Sequence, residues 1–353
     1  MNHSLPVAIV GATGVTGGFA FDEAQRRGLN PIAIGRSPAR LEAFLKSRSL
    51  STDRLRVADV HDMPAIKRAL AGVAVVISTV APFSENGIPV ARAAAEMGIG
   101  YTDCSGEGGF MRSLIAELDA VALRTGASLC TGNGAAAFIG DIAMQWITDR
   151  QPDSGGALLY DIRDYRPSFG TIESYLKYII PGGGPLVRDG VVSFMPLAAF
   201  SGVVAGIKGF HSIVPDPLVI SRYWPARSID ALFRSPHWLR GIVAGAAGAM
   251  LWPPLRNRVL KLPLQKWLAY DAEAGHRSSI IVIAEFRAAS GAIRCRRLRG
   301  HAVYPLTGAV LAATAQAMLR RETRPPGLRA ASEMFASFEE ALELSGLKEI
   351  PLV

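Results

Sequence analysis

The sequence predicts an α/β protein, with an N-terminal doubly wound parallel sheet followed by a second, mixed α/β domain. Three observations predict it. Short apolar runs alternate with amphipathic helical stretches from residue 6 to about 150, the pattern of strands covered on both faces by crossover helices. The first run, Pro6 to Val10, passes directly into glycines spaced three apart, Gly11, Gly14 and Gly17. Near residue 155 the alternation gives way to longer strand patterns, Ser278 to Arg287 and Ala292 to Tyr304, joined at Ser290-Gly291 as a hairpin.

The first turn, Gly11-Ala12-Thr13-Gly14-Val15-Thr16-Gly17, carries most of the functional signal. Gly11 allows a sharp turn off the strand, Gly14 lets the backbone approach a pyrophosphate, and Gly17 lets the next helix pack closely on the sheet. That helix is expected over Val15 to Arg27, closed by Gly28. Pro31 to Ile34 reads as the second strand, and Ser37-Pro38 as the cap and first position of a second helix. In this context the run reads as a Rossmann dinucleotide site rather than a glycine-rich turn in an empty fold. The phosphates would meet unpaired amides at a positive helix end.

The end of the second strand chooses the nucleotide, because NAD enzymes place there an acid that binds the ribose 2′-hydroxyl. This chain has Gly35-Arg36-Ser37 instead. A guanidinium and a hydroxyl suit a 2′-phosphate, which predicts NADP(H). The alternative is that Arg36 is a solvated charge beside a helix start.

Further strands are expected at Leu55 to Val57, Val73 to Ser78, Gly100 to Thr102 and Ala127 to Cys130, and helices at Met63 to Leu70, Asn86 to Met97, Phe110 to Arg124 and Phe138 to Arg150. Ligands of such sheets bind beyond the carboxyl ends of the strands. Asp59 and Val60 would therefore face the adenine, unless Asp59 simply bonds its own backbone in a loop. Thr79, Val80, Ala81 and Pro82 would lie along the cofactor between ribose and nicotinamide.

At 353 residues the chain suggests about two domains. They divide as a nucleotide-binding domain over 1–150, a substrate or dimerisation domain over 151–324, and a C-terminal helical segment over 325–353. Ala157 to Arg163 reads as a strand, and helices are expected over Thr171 to Ile180, Thr307 to Arg321 and Ala331 to Leu344. The hairpin alternation puts Arg294 and Arg296 on one face, as a solvated surface or an anion site, and Ile293 and Cys295 on the other.

The net charge of +8 rests mostly on arginine, with only seven lysines. These charges are scattered rather than grouped with aromatics, which argues against nucleic acid. Cys104, Cys130 and Cys295 lack disulfide or zinc spacing, and the six histidines, His3 and His237 among them, lack ligand spacing, so no metal is expected. No signal-peptide pattern opens the chain, and a reducing cytoplasm fits. Gly241 to Trp252 is apolar but its twelve residues fall short of the roughly twenty a bilayer span needs. It reads either as a helix buried in the core or roofing a pocket, or as a membrane-surface contact flanked by Trp238, Arg256 and Arg258.

Together, Gly11 to Gly17, Gly35-Arg36-Ser37, Thr79 to Phe83, Tyr101-Thr102-Asp103-Cys104-Ser105-Gly106-Glu107 and the Tyr304 to Thr307 and Pro325 to Gly327 segments resemble the saccharopine dehydrogenase-like oxidoreductases, including their trans-acting enoyl reductase branch. The resemblance implies an NADP-binding Rossmann domain, an inserted mixed domain that sets substrate specificity, and a C-terminal helix near the first domain. Two departures stand out. Where relatives resemble G-F-D-x-x-P-x-D, this chain has Gly132-Asn133-Gly134-Ala135-Ala136-Ala137-Phe138-Ile139-Gly140-Asp141, so the first acid and the proline are missing. The region 160–300 matches no family pattern.

No tyrosine has a lysine four residues on and no G-x-S-x-G occurs, which argues against short-chain-dehydrogenase and serine-hydrolase chemistry. Hydride transfer needs a proton source near the nicotinamide. Glu107, Asp141, Tyr165 and Tyr304 are candidates, each with a structural alternative as a cap, a helix-start charge or an amphipathic core residue. Three functions follow: an NADPH-dependent reductase of a fairly apolar C=C or C=N substrate, a saccharopine-type dehydrogenase of an amino-acid-derived imine, and an NADPH-binding or lipid-associated protein without turnover. Pairing of two copies through the second sheet is a further expectation.

Overall fold

The computed structural model describes residues 6–236, 238–262, 272–320 and 324–352. His3, His237 and Arg321 lie outside the described residues. Two compact units divide the chain. One holds Met1–Ser105, Phe110–Gly134 and Tyr304–Ser345; the other holds Gly106–Gly109, Ala135–Val303 and Gly346–Val353.

In the first unit β1 (Val7–Val10), α1 (Val15–Arg26), β2 (Ile32–Gly35), α2 (Pro38–Lys46), β3 (Leu55–Val57), α3 (Met63–Ala69), β4 (Val75–Ser78), α4 (Phe83–Met97), β5 (Gly100–Asp103), α5 (Gly108–Thr125) and β6 (Ser128–Cys130) alternate. All pairings are parallel, in the order β3-β2-β1-β4-β5-β6, with a late strand, Gly327–Arg329, beside β6. β1, β4 and β5 are buried at every residue, as strands covered on both faces must be. The order reverses between β1 and β4, which makes the crevice at their carboxyl ends the ligand position of a doubly wound sheet. The helix Val303–Met318 is buried along most of its length, and at Gly308 a side chain would overlap the α1 backbone at Phe19, so the two helices meet there without a Cβ between them.

The second unit is built on a mixed sheet. β7 (Gly155–Arg163), β8 (Gly184–Arg188), β9 (Val191–Met195), β10 (Ser201–Val204), β11 (Ile207–His211), β12 (Ser228–Arg234), β13 (Ser279–Arg287) and β14 (Ile293–His301) follow in sequence. They pair as β10-β11-β12-β7-β13-β14, then the short strand Lys348–Glu349, with β8 between β12 and β9. Only β12 and β7 run parallel among the described pairings of this sheet. Ala157, Leu159, Val204, Leu232 and Ile283 form the core on one face. On the other, α6 (Ala135–Gln145) packs against β7 and β13; nearly all its residues are buried, as expected for a helix apolar around its whole circumference.

Several elements differ from expectation for local reasons. α4 begins at Phe83 instead of Asn86, because Phe83 is buried against Phe110 with ring centroids 5.5 Å apart. α6 runs from Ala135 to Gln145 and not from Phe138 to Arg150; Ile147 and Thr148 both donate to the Met144 carbonyl, and Arg150 takes a positive φ of 58°. The helix expected over Thr171 to Ile180 is Phe169–Ser174 followed by a π turn, Tyr175–Ile179. β14 stops at His301, since Ala302 has a φ of 55° and Ser278 Oγ accepts from Val303 N at 2.9 Å, which starts a helix and takes Tyr304 out of the strand. The last expected helix is two pieces, a 3₁₀ turn Ala331–Met334 and a helix Phe338–Ser345. Ser337 Oγ accepts from Glu340 N at 3.1 Å and Glu340 Oε2 from Ala336 N at 2.6 Å, a reciprocal cap that begins the helix afresh. At the hairpin Ile293 is exposed. Arg294 lies over the Phe286 ring at 4.5 Å and Arg296 donates to Glu349 at 3.0 Å, so this face is solvated and internally paired.

Candidate functional site

β1 ends at Val10, and Gly11 turns the chain with a φ of 86° that only glycine adopts without strain. Gly14 N donates back to Gly11 O at 3.0 Å and Gly14 becomes the N-cap of α1. No side chain caps α1 and its first turn holds no acid, so its first amides stay open to an anion. Gly17 is needed for packing. A methyl there would run into the Gly11 carbonyl and stand 2.8 Å from Thr79 Oγ1. Gly14 is exposed and its missing Cβ leaves the turn approachable, while Ala12 is buried and Thr13, Val15 and Thr16 border it half-buried.

The loop after β4 is bound to this turn. Thr79 N donates to Val10 O at 2.9 Å, and Thr79 Oγ1 donates to Val10 O at 3.1 Å. Val80 follows half-buried and Ala81 exposed, and Pro82 enters after a cis Ala81–Pro82 bond. Asn86 Nδ2 donates to Pro82 O at 3.2 Å, and its Oδ1 lies 3.1 Å from His61 Nε2, which ties the β3 and β4 loops together. Asp59 Oδ1 accepts from His61 N at 2.9 Å, the short-range turn bond of its second reading; Val60 is half-buried beside it. His61 and Asn86 were missed in the sequence because the link joins two loops that no local pattern connects.

At the end of β2, Ser37 Oγ accepts from Arg40 N and caps α2 as expected. Arg36 is exposed with no hydrogen bond or ion pair among the described residues. Arg40, one turn into α2, is exposed and likewise has no side-chain partner there. Its place in the first turn after the Ser37-Pro38 helix start was the available signal.

The Tyr101 to Glu107 segment divides between structural duties. Asp103 is fully buried, and its Oδ1 accepts from Ser105 N at 2.8 Å, Gly132 N at 3.1 Å and Thr131 Oγ1 at 3.1 Å. One carboxyl therefore staples the β5 loop to the β6 loop. Burial pushes it up to about 6 against the pull of these bonds. Ser78, in register with Asp103, and Tyr101 are buried on the neighbouring strand positions. Burial and then the Asp103 charge raise the Tyr101 phenol.

The four candidate proton donors belong to both units. Tyr304 is buried in the first unit, at the start of Val303–Met318. Glu107, Asp141 and Tyr165 belong to the second. Glu107 is buried and accepts from Ser174 Oγ at 2.7 Å. Tyr165 is half-buried in the segment after β7. Asp141 belongs to a buried group with Tyr160, Asp216 and Tyr223 beneath α6. Burial first, and then the Asp141 charge, hold the Asp216 carboxyl well above the usual carboxylate range, although the Tyr160 hydroxyl opposes the shift. Among the described residues no group of three or more His, Cys, Asp or Glu is placed to hold a metal.

Comparison with known proteins agrees with this geometry. A family model described as NAD(P)H-binding matches residues 11–104, a stretch that includes the turn, the β2 end and the β4 loop. A saccharopine dehydrogenase-like oxidoreductase of Arabidopsis thaliana is 30% identical over 188 residues, 48% of this chain and 41% of the relative. A trans-acting enoyl reductase of Mycobacterium ulcerans is 31% identical over 153 residues, 42% of this chain and 37% of the relative. The matched stretch is thus less than half of either relative. The fold is that of saccharopine dehydrogenase (L-Glu forming) from Saccharomyces cerevisiae, with a TM-score of 0.59 and 14% identity over 98% of this chain and all of that one. The resemblance seen in the motifs is therefore shared by homologues that carry both family names.

Proposed function

We propose that this protein is an NADPH-dependent oxidoreductase that reduces a C=C or C=N bond in a fairly apolar, lipid- or polyketide-like intermediate. The observation that carries the cofactor choice is the end of β2, where Arg36 and Arg40 stand exposed with no side-chain partner among the described residues and Gly35-Arg36-Ser37 holds no acid. An acid at that point would repel a 2′-phosphate; two guanidiniums attract one. The residues fit the nucleotide. The open amides of Val15 and Thr16 would hold the pyrophosphate, Arg36, Ser37 and Arg40 the 2′-phosphate, and Asp59 and Val60 the adenine edge. Thr79 to Pro82 would border the ribose and nicotinamide. When bound, the reduced nicotinamide supplies the hydride, and the chain's own residues orient it and hold its charge. The name of the Mycobacterium ulcerans relative supports an enoyl substrate; the name of the Arabidopsis relative supports the imine reading, which would demand a site for several substrate carboxylates.

Steady-state oxidation of NADPH with a panel of enoyl thioesters, set against glutamate paired with an aldehyde or keto acid, separates the two. The proposal expects turnover with the first group. In the same assay Arg36→Ala should raise the KM for NADPH about tenfold, or about 1.4 kcal/mol, and leave that for NADH unchanged. An unaltered NADPH KM would remove the 2′-phosphate contact. Calorimetric binding of NADPH with no oxidation on any substrate would assign the chain to the non-catalytic class.

A further inference from the structure

Of the two readings of Gly241 to Trp252, the buried one fails: in the helix Leu239–Met250 only Ala247 is buried. The residues facing water follow a helical stripe, Trp238, Ile242, Gly245, Ala249 and Trp252, and none of them is polar. Trp238 is 64% exposed, Ile242 61% and Trp252 63%. A second helix, Pro253–Leu260, follows at once and touches the first, and Leu251 and Leu262 are exposed at its two ends.

Charge identifies the occupant. Residues 231–262 contain five cations, Arg234, Arg240, Arg256, Arg258 and Lys261, and no acid. Arg234 is paired with Asp161, and Arg240 donates to Ala198 and Ala199 carbonyls. Arg258 and Lys261 are exposed and have no acidic partner among the described residues. Exposed apolar side chains, tryptophans and cations without an acidic partner among the described residues, gathered on one pair of touching helices, are the chemistry of a lipid interface, where indoles sit at headgroup depth and cations meet phosphate. A second copy on the same face would bring Arg258 and Lys261 toward their own kind around a two-fold axis, with no acid to compensate. The helix of twelve residues is about 18 Å long, against a hydrocarbon layer of about 30 Å, so it lies on the bilayer without crossing it. No described helix is long and apolar enough to cross a membrane.

We propose that the helix pair Leu239–Met250 and Pro253–Leu260 docks this protein peripherally on an anionic phospholipid bilayer, with Trp238, Ile242, Leu251 and Trp252 entering the acyl boundary and Arg258 and Lys261 meeting the headgroup phosphates. This is independent of the cofactor chosen above.

The test is co-sedimentation of the full chain with phosphatidylcholine vesicles and with vesicles that also contain phosphatidylglycerol. The full chain should pellet with the mixed vesicles, less so as salt is raised. I242D combined with W252A should lower the bound fraction about tenfold, and R258E with K261E should remove the preference for anionic lipid. All four side chains are exposed or half out of the fold, so thermal melting and NADPH affinity should stay as in the parent. A parent protein that stays in the supernatant with both vesicle types, or variants that pellet as it does, would overturn the proposal. So would light scattering that finds a dimer dissolved by I242D, which would assign the face to a second copy.

Discussion

The two sheets place their loops differently, and this separates a region built to bind from one that hides its polar groups. In the first unit every paired strand runs the same way, so the segments after β1, β2, β3, β4, β5 and β6 reach one edge. Gly11, Arg36, Asp59, Thr79 and Asp103 gather there without any sequence proximity. In the second unit β7 is parallel to β12 but antiparallel to β13, so strand ends alternate and no edge collects them. Two of its buried acids, Asp141 on α6 and Asp216, face each other inside the fold instead. The contrast extends to the carboxyls themselves. Asp103 is held by two amides and a hydroxyl, which limits how far burial raises it. Asp216 has burial and a like charge acting together, opposed by the Tyr160 phenol and its own backbone amide.

The largest expected effect breaks the binding region. Gly17→Ala puts a methyl against the Gly11 carbonyl, so the turn must open. Calorimetry should record at least a hundredfold loss of NADPH affinity, about 2.8 kcal/mol. Unchanged affinity would mean that the turn does not form the pyrophosphate site.

Gly140→Ala probes the other region. The added methyl would overlap Asp216 Oδ1 and stand 2.5 Å from the Tyr160 hydroxyl, in a group with no room to spare. Overpacking of this kind costs about 2 kcal/mol, visible as a lower Tm, while NADPH affinity should remain within about twofold. A parallel fall in affinity would show that the two regions are energetically one.

The smallest effect sharpens the comparison through pH. A raised carboxyl contributes stability that is fully present below its unfolded pKa and is lost as pH rises through the folded value. For Asp103 that loss should fall between its ordinary value of 3.8 and about 6, whereas for Asp216 it should extend to higher pH. Asp216→Asn should therefore flatten the fall of Tm on the alkaline side, and Asp103→Asn the fall in the acidic range. Melting curves taken across pH that lose the same slope in both variants would contradict the assignment.

Much of the first region was legible because its signals are local. A buried strand reads as an uninterrupted apolar run, a tight turn demands glycine at Gly11, and Ser37-Pro38 marks a helix start in two residues. The second region resisted reading for the opposite reason. β7 and β13 are buried on both faces, so their alternation is weak, and Asp141 and Asp216 meet only when α6 packs on the sheet. The Ser337 and Glu340 cap was also readable but was obscured by the helix-favouring residues around it.

Backbone conformation and charge type were decided by the sequence alone: glycines that permit a phosphate turn, and an arginine where an acid would select the other nucleotide. Those follow from bonds and charges within a few residues. Only the tertiary structure decided that Arg36 and Arg40 both stand exposed, that Asp103 staples two loops, and that the Leu239–Met250 stripe faces water. Burial and long-range pairing depend on what packs against a residue, and that is a property of the folded chain.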